Sequence, residues 1–301
     1  MNRSIVAVGE VLWDLLPSGK QLGGAPANFT YQCRSLGADA RIVTRVGADD
    51  LGREVLARFG ALGLPVDTVQ VDLDLPTGTV DVRLGADGQP HYTIREEVAW
   101  DRIEADSAAS ACASRADAIC FGSLAQRHDV SRRSILALVA ATRIDAIRVF
   151  DVNLRPPFFD RTVIEGSLEL ANVLKLNDHE LAELAAMFGI RGGERPSMEG
   201  LTRRFGLSLV ALTRGAGGSL LLADGAWSED PGRRVEVVDT VGAGDAFNAA
   251  LVVGRLAGRS LDAINRHAND VAAYVCTQPG GTPAIPDSLK IAPTPDAEAH
   301  P

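Results

Sequence analysis

The chain has 301 residues and a net charge of −9, with 30 Lys and Arg set against 39 Asp and Glu. The two signs are interspersed, so the basic footprint that nucleic-acid binders need is missing. Hydrophobic residues make up 46% and aromatics 5%, the balance of an enzyme with an aliphatic core, in one large α/β domain or two smaller ones.

Taken in chain order, apolar residues 5–8 read as a buried strand, and Asp14 closes the region that follows. Gly23-Gly24 gives a turn in which the backbone can approach a ligand, Pro26 suits the first turn of a helix, and Asn28 sits one turn in. Residues 41–46 form the next strand, and residues 50–63 place Leu51, Val55, Phe59 and Leu62 on one helical face. Residues 77–84 and 89–96, joined by Gly85-Ala86-Asp87-Gly88, break the pattern and read as a hairpin rich in β-branched and aromatic residues. Strands return at 118–121, 147–151, 173–176 and 208–212, with helices at 130–142, 178–188 and 197–205. Such alternation implies a parallel sheet covered on both faces, with a ligand beyond the carboxyl ends of its strands. Asp14, Arg155, Asn177 and Thr213 all fall just after predicted strands. One domain over 1–290 is expected, followed by a polar, Pro-bearing tail at 291–301.

The most informative stretch is Val238-Asp239-Thr240-Val241-Gly242-Ala243-Gly244-Asp245-Ala246-Phe247. Small residues let a turn press its N–H groups against something bulky and negative, and an apolar helix follows at once. Unpaired N–H groups and the helix dipole favour an anion there. Asp245 lies in that positive field, where its carboxylate stays ionised and can accept a proton. An anion cradle holding its own base points to phosphoryl transfer to a hydroxyl. Neither G-x-x-x-x-G-K-[ST] nor a strand-borne G-x-G-x-x-G occurs, so the phosphate site is of another kind.

The D-T-x-G-A-G-D pattern resembles the signature of the ribokinase-like, or phosphofructokinase-B, family of carbohydrate kinases. The resemblance runs from Val6 to about Ile285. It implies a three-layer α/β/α fold with a mostly parallel central sheet and a small β-sheet lid, built from segments near 11–16 and 66–98. The lid would close over the sugar and exclude water, and its outer face implies a homodimer. The resemblance makes Asp245 the base and the backbone of Gly242, Ala243 and Gly244 the anion hole. It sets Asp239 near a monovalent-cation site, though an Asp there also caps a turn. Gly23-Gly24-Ala25-Pro26-Ala27-Asn28 resembles the sugar-binding element, with Gly24, Asn28 and Asp14 on the sugar; Thr30 departs from the usual Ala. Lys175-Leu176-Asn177-Asp178-His179-Glu180 resembles the N-x-x-E motif, in which Glu180 orients the water shell of Mg²⁺; by position it is also a first-turn acid of its helix.

On the nucleotide side, Thr213-Arg214-Gly215-Ala216-Gly217-Gly218 resembles the T-x-G-x-x-G loop, which assigns Thr213, Gly215 and Gly218, with Asn177, to ATP. Asn269 matches a position lining the adenine pocket. Asp151-Val152-Asn153-Leu154-Arg155 and Phe121-Gly122-Ser123-Leu124 resemble the fructokinase branch. Arg155 fits a sugar oxygen, a substrate carboxylate or a phosphate, and Arg95 is a second basic candidate on the lid. The expected reaction is ATP-dependent phosphorylation of fructose, using Mg²⁺ and with a K⁺ requirement left open. The alternatives are 2-keto-3-deoxygluconate, ribose, an inositol or a nucleoside as acceptor, or a non-catalytic sensor. Cys33, Cys112, Cys120 and Cys276 lack C-x-x-C spacing, and no stretch reads as a signal or a membrane span, so a reducing cytoplasm is the expected location.

Overall fold

A computed structural model describes residues 3–17, 19–84 and 90–290. The turn expected at 85–88 and the tail expected at 291–301 lie outside the described residues. The chain opens with β1 (Ser4–Val8), β2 (Leu12–Leu16) and β3 (Gly19–Gly23), then α1 (Ala25–Ser35). β4 (Asp39–Gly47), α2 (Asp50–Ala61) and β5 (Val69–Asp72) follow, then β6 (Gly78–Leu84) and β7 (Pro90–Ile94). After α3 (Ser107–Arg115) come β8 (Ala118–Gly122), α4 (Asp129–Ala140), β9 (Ile147–Asp151), α5 (Arg161–Leu170) and β10 (Val173–Asn177). α6 (Asp178–Phe188), α7 (Glu194–Phe205), β11 (Leu209–Thr213), β12 (Ser219–Ala223), β13 (Ala226–Asp230), α8 (Ala243–Leu256) and α9 (Leu261–Cys276) complete it.

The large sheet runs β13-β12-β11-β10-β9-β8-β1-β4-β5, parallel from β11 to β5. Its inner strands are apolar on both faces because helices cover both: Val6 and Ile5, Val173 and Leu174 are all fully buried. One core layer holds Phe29, Phe59 and Phe247; the opposite layer holds Trp100, Phe121 and Phe150. The winding direction reverses between β1 and β8, and in such sheets the crevice beyond the strand ends at the reversal is the binding position. Among the described residues no helix is long and apolar enough to cross a membrane.

The second sheet runs β3-β2-β6-β7. Two expectations are corrected here. The segment 66–72, expected in the small sheet, supplies β5, which pairs parallel with β4 at the edge of the large one. The β4-α2-β5 unit is a short crossover that returns the chain to the neighbouring position. The small sheet instead gains β3, whose Gly-Lys-Gln-Leu-Gly sequence is mostly exposed and carries no alternation to read. Asp14, expected just after a strand of the main sheet, lies in the middle of β2.

Asp49 fastens the two sheets together. As N-cap of α2 its Oδ1 accepts from Gly52 N–H at 2.7 Å and from Thr77 Oγ1 at 2.7 Å, and its Oδ2 accepts from Thr77 N–H at 2.8 Å. Thr77 is the residue before β6. Asp49→Ala removes a cap and two tertiary bonds, so a loss of about 2 kcal/mol in urea unfolding is expected. A second fastening is the buried pair Arg127–Asp101, bonded at 2.7 and 2.9 Å, with the guanidinium stacked 3.9 Å from Trp100 and 4.8 Å from Phe158.

Candidate active site

Two helix N-termini meet above the carboxyl end of the sheet. α1 starts at Gly24 with φ 106°, and a Cβ there would stand 2.6 Å from the Glu10 carbonyl oxygen. α8 starts at Gly242 with φ 77°, packed so closely on Gly281 that a Cβ would lie 2.5 Å from its Cα. Only glycine takes these backbone angles without strain. Ala243 N–H donates to Thr240 O at 3.3 Å and Val241 N–H to Asp239 Oδ1 at 3.0 Å. The N–H groups of Gly242, Gly244 and Asp245 have no acceptor among the described residues. The turn is thus a set of unpaired donors at the positive end of a helix.

Asp245 is the third residue of α8, and its Oδ2 accepts from Asn28 Nδ2 at 2.9 Å across 217 residues of sequence. Burial pushes its carboxyl up to about 6; Asp151 adds to this, while Asn28, Lys175 and Arg155 oppose it. Asp14 is pushed up to about 6 by burial against the pull of Arg155. Glu10, 4% exposed, is pushed up to about 7, chiefly by burial, with its own N–H and Arg155 opposing. Glu10 faces a small cavity together with Cys120, Ser123, Asp151 and Asn153.

Arg155 is exposed on the loop after β9, and its charge reaches Glu10, Asp14 and Asp245. That loop is held from both ends. Ser123 Oγ donates to Val152 O at 2.7 Å, and Leu154 N–H donates to Glu180 Oε1 at 3.0 Å. Arg95 is also exposed; its carbonyl accepts from Arg127 Nη2 at 2.7 Å, and among the described residues its side chain makes no hydrogen bond or ion pair.

Asn177 and Thr213 end β10 and β11 and stand opposite each other in register. Asn177 Oδ1 accepts from Glu180 N–H at 2.9 Å and Glu180 Oε2 accepts from Asn177 N–H at 2.8 Å, a reciprocal cap on α6. Both oxygens of Glu180 are therefore engaged with backbone. Asp239 is similar: its Oδ2 accepts from Gly280 N–H at 3.0 Å, which ties the α8 turn to the chain before Gly281. Among the described residues no group of three or more His, Cys, Asp or Glu could hold a metal ion. Gly215, φ 52°, has open space beside it. At Gly218 a Cβ would come within 2.0 Å of Asp230 O, so packing against the end of β13 accounts for that glycine. Asn269 is buried, donating to Ser219 Oγ at 2.6 Å and Asn265 O at 2.9 Å, and joins α9 to β12.

The structure thus gathers Asp14, Gly24, Asn28, Arg155, Gly242, Ala243, Gly244 and Asp245 at one cleft, with Asn177 and Thr213 on neighbouring strand ends. Gly218 and Asn269 do packing work. Four members of the cleft carried no assigned role in the sequence: Glu10, Asp151, Lys175 and Gly281. Lys175 did leave a trace, since a charge inside the apolar run 173–176 is unusual unless paired.

A three-layer α/β fold with a second, small sheet and two glycine-started helices converging on a carboxylate is the architecture of ribokinase-like kinases. The chain belongs to the pfkB family of carbohydrate kinases, whose model matches residues 18–288. A fructokinase of Klebsiella pneumoniae is 31% identical over 304 residues, covering 95% of this chain and 97% of that protein. A sugar kinase of Pyrococcus horikoshii, solved in complex with ATP, has a TM-score of 0.80 at 28% identity over 92% of this chain and 94% of that one. A fructokinase of Xylella fastidiosa with bound ATP shares the fold, with a TM-score of 0.84 at 24% identity over 95% and 96%.

Proposed function

We propose that the protein transfers the γ-phosphate of ATP to a primary hydroxyl of fructose. The observation that carries this reading is the Asn28–Asp245 contact, which sets a carboxylate at a helix N-terminus among three unpaired N–H groups. Asp245 takes the hydroxyl proton as that oxygen attacks, and the N–H groups of the Gly242 turn meet the charge on the phosphoryl oxygens. Asn28 and Asp14 hold the sugar, with Gly24 letting α1 approach it. Asn177, Thr213 and Gly215 face the nucleotide phosphates, with Gly218 and Asn269 shaping the wall behind them. Glu180 fits Mg²⁺ through water rather than by direct contact, since both its oxygens already accept from backbone and an oxygen can accept once more. Mg²⁺ supplies charge neutralisation between the phosphates when bound. Asp239 acts here through its caps, which hold the turn in shape.

The choice of acceptor rests on charge. Among the described residues, Glu10, Asp14, Asp151 and Asp245 share the cleft with two cations, Lys175 and Arg155. Lys175 is already bonded to Asp151, and Arg155 already faces three carboxyls. A sugar acid would bring a further negative charge, whereas a neutral ketose brings hydroxyls that carboxylates accept from. The kinship with the Klebsiella fructokinase supports the same choice. The test is ATP-dependent ADP release across fructose, ribose, 2-keto-3-deoxygluconate, myo-inositol and adenosine, with and without K⁺. Fructose is expected to give the highest kcat/KM, and Arg155→Ala is expected to lower it about tenfold. Preference for 2-keto-3-deoxygluconate, with the Arg155→Ala loss confined to it, would overturn the fructose choice. Binding of ATP without turnover on any acceptor would overturn the enzyme reading itself.

A further inference from the structure

The buried pair Lys175–Asp151 has no part in the transfer scheme above, yet it lies directly beneath it. Lys175 Nζ donates to Asp151 Oδ1 at 3.0 Å, and Asp151 Oδ2 accepts from Asn248 Nδ2 at 3.2 Å. The two charged side chains are 9% and 8% exposed. Folding alone does not account for them, because desolvating two charges works against stability and an apolar pair of similar volume is often as stable. Their position does. A Cβ on Gly244 would stand 3.2 Å from Lys175 Nζ, so the ammonium lies against the turn whose N–H groups are unpaired. Asn248 fixes the pair to the same helix, one turn after Asp245. An ammonium has three donors; Asp151 takes one, and no other acceptor among the described residues receives the rest.

We propose that Lys175 is a positioning residue for phosphoryl transfer: clamped by Asp151 under the first turn of α8, its ammonium fixes positive charge beside Asp245 and keeps that carboxyl in its proton-accepting form. The inference rests on the reading of Asp245 as the base. The groups facing Asp245 are Asn28 from α1, Glu10 from the loop after β1, Cys120 from β8, Asp151 from β9, Arg155 from the loop after β9, and Lys175 from β10. Lys175 itself faces Asp151, Glu180 and Asp245. Only two of these groups are cations. Arg155 is exposed and open to screening by salt, whereas Lys175 is buried and screened little. Asp151 has a double part: it holds the ammonium in place, and its own charge opposes ionisation of Asp245.

The test is the acid limb of the pH profile of kcat/KM for the best sugar of the panel. Lys175→Met is expected to move that limb upward by about one pH unit or more. Asp151→Asn, which removes the opposing charge, is expected to move it downward, and Lys175→Met/Asp151→Asn to lie between the two. A purely structural pair would change the yield of folded enzyme and leave the limb where it is. An unmoved limb in Lys175→Met, with Asp245→Asn inactive, would overturn this inference and leave Asp245 as the base. Normal turnover in Asp245→Asn would remove the reading beneath it instead. Should Lys175→Met fail to fold, Asp151→Asn decides: a limb that does not fall overturns the inference.

Discussion

If Asp245 is the base proposed above, Asp245→Asn is expected to lower kcat by about 10²–10⁴-fold, the range that a positioned general base contributes, and to leave the KM for the sugar within a few-fold. The two residues have the same shape. An asparagine oxygen still accepts from Asn28 Nδ2, which now reaches Asp245 Oδ2 at 2.9 Å, so the cleft keeps its geometry. What is lost is the ability to take a proton. With Asp245 as the proposed base, kcat/KM of the unaltered protein is expected to rise with pH through about 6, because the protonated carboxyl below that point has no capacity to accept the proton. Stability should run the other way. A carboxyl held in the fold at about 6, against an ordinary 3.8, favours the folded state at pH below 3.8, and that contribution is lost as pH rises through 6. Asp245→Asn escapes the loss, so at pH 8 it should unfold at the same urea concentration as the parent or a higher one. Low activity accompanied by lower stability would instead mean a folding defect, and steady-state kinetics beside urea unfolding at pH 8 separates the two.

Six strands of the main sheet, β1, β4, β8, β9, β10 and β11, were legible because they are covered on both faces and read as largely apolar runs. Residues 173–176 and 147–151 needed no long-range information. β3 was not legible, since Gly19-Lys20-Gln21-Leu22-Gly23 owes its strand state to pairing with β2 and not to its own composition. The β12–β13 hairpin did leave a signal, Asp224-Gly225, with φ 49° and 80° between paired Ala223 and Ala226; Asp-Gly is the usual two-residue turn for such a hairpin. The unpaired N–H groups and the carboxylate beside them were legible together because they share one short segment. Glu10, Asp151 and Gly281 were not, and Lys175 only as an odd charge in an apolar run, because the contacts of each are with neighbours remote in sequence. Asn177 and Glu180 show the opposite effect. Their motif was read as nucleotide chemistry, and the structure shows it first as a helix cap that also holds the Arg155 loop.

Gly242→Ala is the substitution for which both activity and stability should fall. Its φ of 77° lies in the left-handed region, where a Cβ costs about 1–2 kcal/mol. The new methyl would also meet Gly281 Cα at 2.5 Å and Gly281 O at 2.9 Å. These are backbone atoms, and no side chain can swing aside to make room. Gly281 is itself packed against α1: a Cβ on it would lie 2.8 Å from Asn28 Nδ2, and its carbonyl accepts from Gln32 Nε2 at 3.0 Å. A push on Gly281 therefore passes to α1 and to the Asn28 amide that holds Asp245. One methyl then disturbs three things together: the aim of the unpaired N–H groups, the orientation of Asp245 as the proposed base and the position of Asn28 in the proposed sugar seat. A fall in kcat of about 10²–10³-fold is expected, the size seen when one oxyanion donor is lost, with a urea-unfolding loss of about 1–2 kcal/mol. Gly281→Ala separates the routes. Its methyl meets a side-chain amide that can rotate, so it should raise the sugar KM more than it lowers kcat. If Gly242→Ala turned over normally while losing stability, the turn would be a structural bend, and the charge on the phosphoryl group would have to be met elsewhere in the cleft.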